Sequence, residues 1–126
     1  MPKVSKDSAS GSTLVEGIVD DRSEVLEGYM VNFQTFLGDA DPAPLFKGLP
    51  DDRCQCPHWG YVFKGKITFR YADHEETYEA GDAYYAPAGH VPLISAGCEL
   101  VEFSPADEMA KTGEVLERNY QASRQA

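Results

Sequence analysis

The sequence predicts an all-β fold. Three features carry this. Between His58 and Ser104 the apolar residues come in short runs, Gly, Pro and Asp interrupt those runs at short intervals, and no helical period competes until the last twenty or so residues. Short strands closed by frequent turns belong to a sandwich or a barrel, where β-layers enclose one core. At 126 residues the chain is long enough for one such core and too short for two.

Taken in order, residues 1–13 are polar with almost nothing to bury and are expected to form a flexible tail, leaving 14–126 as a single domain. LVEGIV, from Leu14, reads as a short strand or entry segment, and DDRSE after it as a polar turn. From Tyr29 to Phe36 the chain alternates. Tyr29, Val31, Phe33 and Thr35 share one face and Met30, Asn32, Gln34 and Phe36 the other, so a strand with one buried face is expected. GDADPAPLFKGLPDD is a loop with a short extended piece at Pro42 to Phe46. HWGYVFKG then forms a strand ending at Gly65, KITFRYA its partner and DHEE a tight turn. ETYEAGD, AYYAPAGHVPLIS and CELVEFS supply the strands that follow. The character changes at SPADEMAKTGEVLERNYQA, where Ser104 suits an N-cap, Pro105 the first helical position and Asp107 a capping box. Gly113 is expected to split this segment into two short helical turns. Met109, Leu116 and Tyr120 would pack on the outside of the sheet, and SRQA would fray.

The balance of 21 acidic against 11 basic residues leaves a net charge of −10. That opposes nucleic acid and anionic membrane as partners, because neutralising phosphate takes clustered Lys and Arg. No apolar run approaches the roughly 18 residues of a membrane span and no basic-plus-hydrophobic leader is evident, so a cytoplasmic location is expected. Of the three Cys, Cys54 and Cys56 are one residue apart. A disulfide between them would close a very small, strained ring, and reduced thiols are expected instead.

The residues with chemistry to offer sit at the two ends of the stretch from Cys54 to Pro92. Alternate residues of an extended chain share a face, so Cys54, Cys56 and His58 can all point into a barrel, and His90 can meet them from the far end. Thiolate with imidazole suits a borderline-soft ion, Zn²⁺ in a tetrahedral site or Fe²⁺, Ni²⁺ or Cu, and disfavours Mg²⁺ and Ca²⁺. The plain alternative is that the thiols pack and the imidazoles are hydrogen-bonded and inert. Asp52 is a weaker candidate, and His74 in ADHEE reads as a solvated turn residue. Trp59, Tyr61, Phe63, Tyr84 and Tyr85 are expected to fill the barrel or line its mouth, with Tyr61, Phe63 and Tyr85 proposed as a substrate pocket. Cys98 reads as core. Glu99 and Glu102 could serve as barrel carboxylates, although outward, solvated positions are commoner for such residues.

The spacing within this stretch resembles the cupin superfamily, small single-domain jelly-roll barrels (double-stranded β-helices). The first cupin motif ends in a metal-binding Glu followed seven residues later by a turn Gly, and HWGYVFKG places His58 in the Glu position and Gly65 in the turn. The second runs Gly, five residues, Pro-x-Gly, two residues and His; GDAYYAPAG supplies Gly81, Pro87 and Gly89, but Pro92 occupies the His position. The family's His-x-His pair falls at Asp52 and Cys54, or at Asp51 and Arg53. The resemblance covers about Asp51 to Ser104. It implies a cupin barrel with an N-terminal arm and a short C-terminal helix, and a homodimer formed by exchange of N-terminal strands such as Tyr29 to Phe36. The family's ligand set is absent, so its metal does not carry over, and a divalent transition metal here would need the rebuilt set centred on His58 and His90. The activity the resemblance implies is a metal-dependent enzyme of dioxygenase, isomerase or lyase type. Two rivals stand beside it: a non-catalytic protein binding a small organic ligand without metal, and a thiol-based redox or metal sensor.

Overall fold

A computed structural model describes residues 2–124. Among them, strands form two antiparallel layers. The larger sheet has six strands, β1 (Gly11–Val15), β2 (Val19–Leu26), β3 (Tyr29–Phe36), β4 (His58–Lys64), β7 (Ala83–Ala86) and β9 (Glu99–Pro105), in the order β1-β2-β3-β9-β4-β7. The smaller has three, β5 (Lys66–Arg70), β6 (Glu75–Glu79) and β8 (Val91–Leu93), in the order β6-β5-β8. A helix, α1 (Ala106–Arg124), follows β9 directly.

Strand alternation decides what lies between the sheets. Val62 of β4, Ile67 and Phe69 of β5, Tyr84 and Ala86 of β7 and Leu100 of β9 face inward with Phe36 and Cys98, forming the main core. Each large apolar side chain there contributes on the order of 1.5–3 kcal/mol by leaving water. The predicted β4–β5 turn at Gly65 is observed. Its φ is +71°, and a Cβ there would meet the Cys98 backbone at 2.9 Å, so only glycine fits without strain. A second, smaller cluster joins Phe46, Cys54, Cys56 and Val91 to Met109 and Leu116 of α1, so the helix packs on the loop before β4.

Several expectations are corrected. The tail assigned to 1–13 is already a strand from Gly11, because Gly11–Thr13 pair with Asp21–Ser23 of β2; Met1 lies outside the described residues. DDRSE is therefore the middle of β2 and the turn lies at Glu16–Ile18, a polar stretch made extended by pairing on both edges. The piece at Pro42 to Phe46 is a 3₁₀ turn over Ala43–Phe46. β3 sits between β2 and β9 rather than at a sheet edge. The C-terminal helix is long and runs through Gly113 without a break. Ser104 belongs to β9 and does not cap it. Of SRQA, Ser123 and Arg124 are helical, and 125–126 lie outside the described residues.

Candidate metal site

Two local pairings bring the donors together. The loop between β3 and β4 is tied to the turn before β8 by an antiparallel bridge at Cys54 and His90: the Cys54 N–H donates to the His90 carbonyl at 2.8 Å, and the Gly89 N–H donates to the Cys54 carbonyl at 2.8 Å. His58 opens β4 on the inward parity. Cys54, His58 and His90 consequently converge, one donor atom from each lying within 4.8 Å of the others, and all three residues are at most 4% exposed.

Both imidazoles are held from behind. His90 Nδ1 lies 2.7 Å from the Pro87 carbonyl, which can only accept, so the proton sits on Nδ1 and the Nε2 lone pair is free. His58 Nδ1 lies 2.7 Å from Ser104 Oγ, and its Nε2 faces Cys54 Sγ at 3.7 Å. A thiolate about 2.3 Å and an imidazole about 2.05 Å from a tetrahedral ion stand about 3.6 Å apart, so this pair is already at ligand spacing. Second partners that fix ring orientation and tautomer are what metal-binding histidines usually have.

Burial lowers the pKa of His58 to about 4. It lowers His90 to about 4 as well, with the neighbouring His58 adding to the effect. Both rings are neutral at pH 7 and able to donate lone pairs. Burial pushes the Cys54 thiol up to about 11, so it keeps its proton until a cation displaces it. The donor set and its spacing fit a borderline-soft divalent ion.

A carboxyl adjoins the group. Tyr84, Gly60 and Glu102 are aligned across β7, β4 and β9. The missing side chain at Gly60 lets the Tyr84 ring lie across β4, since a Cβ there would fall 2.3 Å from it. Tyr84 Oη thus donates to Glu102 Oε1 at 2.6 Å, while Glu102 Oε2 stands 3.9 Å from His58 Nδ1. Burial raises the Glu102 pKa, countered in part by the Tyr84 hydrogen bond.

Of the predicted ligands, the structure gathers Cys54, His58 and His90 and leaves Cys56 out of the group. The Cys56 side chain packs in the cluster under α1, and burial pushes its thiol up to about 12. The substrate pocket expected at Tyr61, Phe63 and Tyr85 is corrected. With His58 inward, Trp59, Tyr61 and Phe63 must face out, and all three pocket residues lie on the outer face of the six-stranded sheet at 40%, 51% and 46% exposure. His74 is the exposed turn residue expected, bonded to Asp73 at 2.7 Å. Asp52 is exposed, its Oδ1 accepting from the Gly48 N–H. Glu102 faces inward, whereas Glu99 pairs with Lys64 at 3.2 Å near the surface. The sequence reading missed Ser104 as a partner of His58 and Tyr84 as a partner of Glu102. The alternation of β9 from Leu100 was the signal that could have found both Glu102 and Ser104.

The fold aligns with an RmlC-like cupin from Shewanella frigidimarina NCIMB 400 at a TM-score of 0.50, with 14% identity, over 75% of this chain and 83% of that one. The fold is that of a cupin. It also aligns with the polyketide cyclase RemF from Streptomyces resistomycificus, at a TM-score of 0.56 and 14% identity over 83% and 79% of the two chains. An oxalate decarboxylase variant of B. subtilis aligns at 0.53 and 13% identity, covering 81% of this chain but 28% of the larger enzyme. No family profile matches the sequence, and no curated protein is significantly similar to it.

Proposed function

We propose that this cupin holds a divalent transition metal between Cys54 Sγ, His58 Nε2 and His90 Nε2 and acts on a small organic molecule there. The observation that carries this reading is the convergence of two imidazoles, each anchored through Nδ1, on one thiol at ligand spacing. Three protein donors leave a fourth position for a substrate oxygen, and a bound Zn²⁺, Fe²⁺, Ni²⁺ or Cu ion would supply Lewis acidity there. The chain's own part is to keep both rings neutral and aimed, to exclude water, and to hold a carboxyl, Glu102, against His58. The similar solved structures include a cyclase and a decarboxylase, so the fold leaves the reaction type open.

The metal-free binding protein remains the second reading, and the deep burial of the three donors, each at most 4% exposed, favours it. The thiol-sensor reading draws no support from thiols that are buried and have raised pKa values. As partner we propose a second copy of the chain. Trp59, Tyr61, Phe63, Tyr85, Phe103 and Tyr29 are all exposed on the outer side of the six-stranded sheet, an apolar face of the kind that marks association.

Elemental analysis of protein purified without added metal tests the site. One ion per chain is expected in the wild type and none in the double variant His58→Ala/His90→Ala. Stoichiometric metal retained in the variant would remove the ligand assignment, and a metal-poor wild type would leave the binding-protein reading.

A further inference from the structure

A cleft of about 540 Å³ opens outside the three-stranded sheet, between the 3₁₀ turn at Ala43–Phe46, the turn at Pro50–Asp52 and the end of β5. In a chain with only 11 basic residues, its walls bring Lys47, Arg53 and Arg70 together. Arg70 is already paired, its Nη2 donating to Asp41 Oδ1 at 2.6 Å. Arg53 is not: its Nε is shielded from water with no hydrogen-bond partner, and among the described residues no carboxylate lies within ion-pair distance of it or of Lys47. A shielded guanidinium nitrogen without a partner is costly in an isolated protein, and the cost is relieved when the side chain turns its fork toward an acceptor in the cleft.

The rest of the lining says what kind of acceptor. Asp51, Asp52 and Lys47 border the cleft but are exposed, where water and salt screen their charge, so Arg53 is the main cation; Asp52 Oδ1 is turned to the Gly48 N–H. Pro44, Tyr71 and Val91 supply apolar wall, and the volume falls in the range of small-molecule sites. We propose that this cleft binds a small organic carboxylate. The anion is held in the fork of the Arg53 guanidinium with Lys47 as a second charge, and its carbon body lies against Tyr71, Pro44 and Val91. The site is separate from the metal site. Arg53 precedes Cys54 in extended backbone (φ −132°, ψ 155°), so the two side chains leave the chain on opposite sides.

The test is an NMR titration of the full ¹⁵N-labelled chain with sodium benzoate, using the uncharged isostere benzamide as control at constant ionic strength. Benzoate is expected to give saturable shifts at the amides of residues 45–53, 70–71 and 91, and benzamide none. Arg53→Gln should weaken benzoate at least about tenfold, Lys47→Gln should weaken it less, and Arg53→Lys, which keeps the charge but loses the fork, should fall between wild type and Arg53→Gln. If Arg53→Gln fails to fold, Arg53→Lys and Lys47→Gln carry the comparison. Equal binding of benzoate and benzamide, wild-type affinity in the Arg53 and Lys47 variants, or no saturable shift at millimolar benzoate would each overturn the proposal.

Discussion

His58 and His90 are kept neutral by burial, and this ties the stability of the metal-free protein to pH. Each ring titrates near 4 in the fold against an ordinary value of 6.5. The unfolded chain therefore takes up protons first on acidification, so the stability both rings confer is complete above pH 6.5 and is lost as pH falls toward 4. Glu102 acts in the opposite sense. Its raised pKa makes the folded protein hold a proton that the unfolded chain releases above pH 4.5, which lessens the net loss in that window. Urea midpoints measured in chelator across this range should fall with acidification, by roughly 1.4 kcal/mol per pH unit for each net proton taken up on unfolding. The fall should be steeper in Glu102→Gln, and equal slopes in the two proteins would show that Glu102 is ionised in the fold. At this scale the sequence named the candidate donor residues but misjudged their company. Glu99 and Glu102 both read as possible barrel carboxylates with outward positions commoner, and only the alignment of Glu102 with Gly60 and Tyr84 across two strand pairings puts it beside His58.

At the scale of the element, α1 shows how tertiary contacts override a local signal. Gly113 is a poor helix former and was expected to break the segment, yet the helix continues through it because both sides are anchored. Met109 and Leu116 pack against the Phe46–Cys54 cluster, and Asn119 Nδ2 donates to the carbonyls of Leu45 and Lys47 at 2.7 and 2.8 Å. Nothing lies within 4 Å of a Cβ built at Gly113, so Gly113→Ala should stabilise the protein by about 0.5–1 kcal/mol through reduced backbone entropy in the unfolded chain. A thermal melt checks this, and an unchanged or lower melting temperature would mean that α1 frays at that point. The same anchoring moves the helix start past Pro105 and frees Ser104 to serve His58.

At the scale of the molecule, the misplaced aromatic residues become informative. Tyr61, Phe63 and Tyr85, expected as a pocket, instead help form an outward apolar face on the six-stranded sheet. If a second copy covers that face, light scattering should report a dimer, and Trp59→Ser with Phe103→Ser should give a folded monomer, since both side chains are more than 40% exposed and neither is needed for the core. A monomeric wild type would remove the face as a self-interface. The net charge of −10 on each copy opposes such contact, and salt screens that repulsion.

Much of the barrel was legible in the chain itself. Gly, Pro and Asp punctuation placed β4, β5, β6 and β9 and the turn at Gly65, because turns and period-two alternation are local properties written in consecutive residues, whereas the single run from Ala83 to Ser95 divides into β7 and β8 on different sheets. The residue types of the site, Cys54, His58 and His90, were legible for the same reason. The tertiary structure decided which of them meet. Cys54 and His90, far apart in the chain, are joined by a backbone bridge, while Cys56, two residues from Cys54 and buried in the same cluster under α1, offers no donor to the group of Cys54, His58 and His90. It also decided the faces. Fixing His58 inward sends Trp59, Tyr61 and Phe63 to the surface and sets Glu102 and Ser104 behind the imidazole, and which parity of a strand is buried depends on what the opposite sheet brings, which no local pattern encodes.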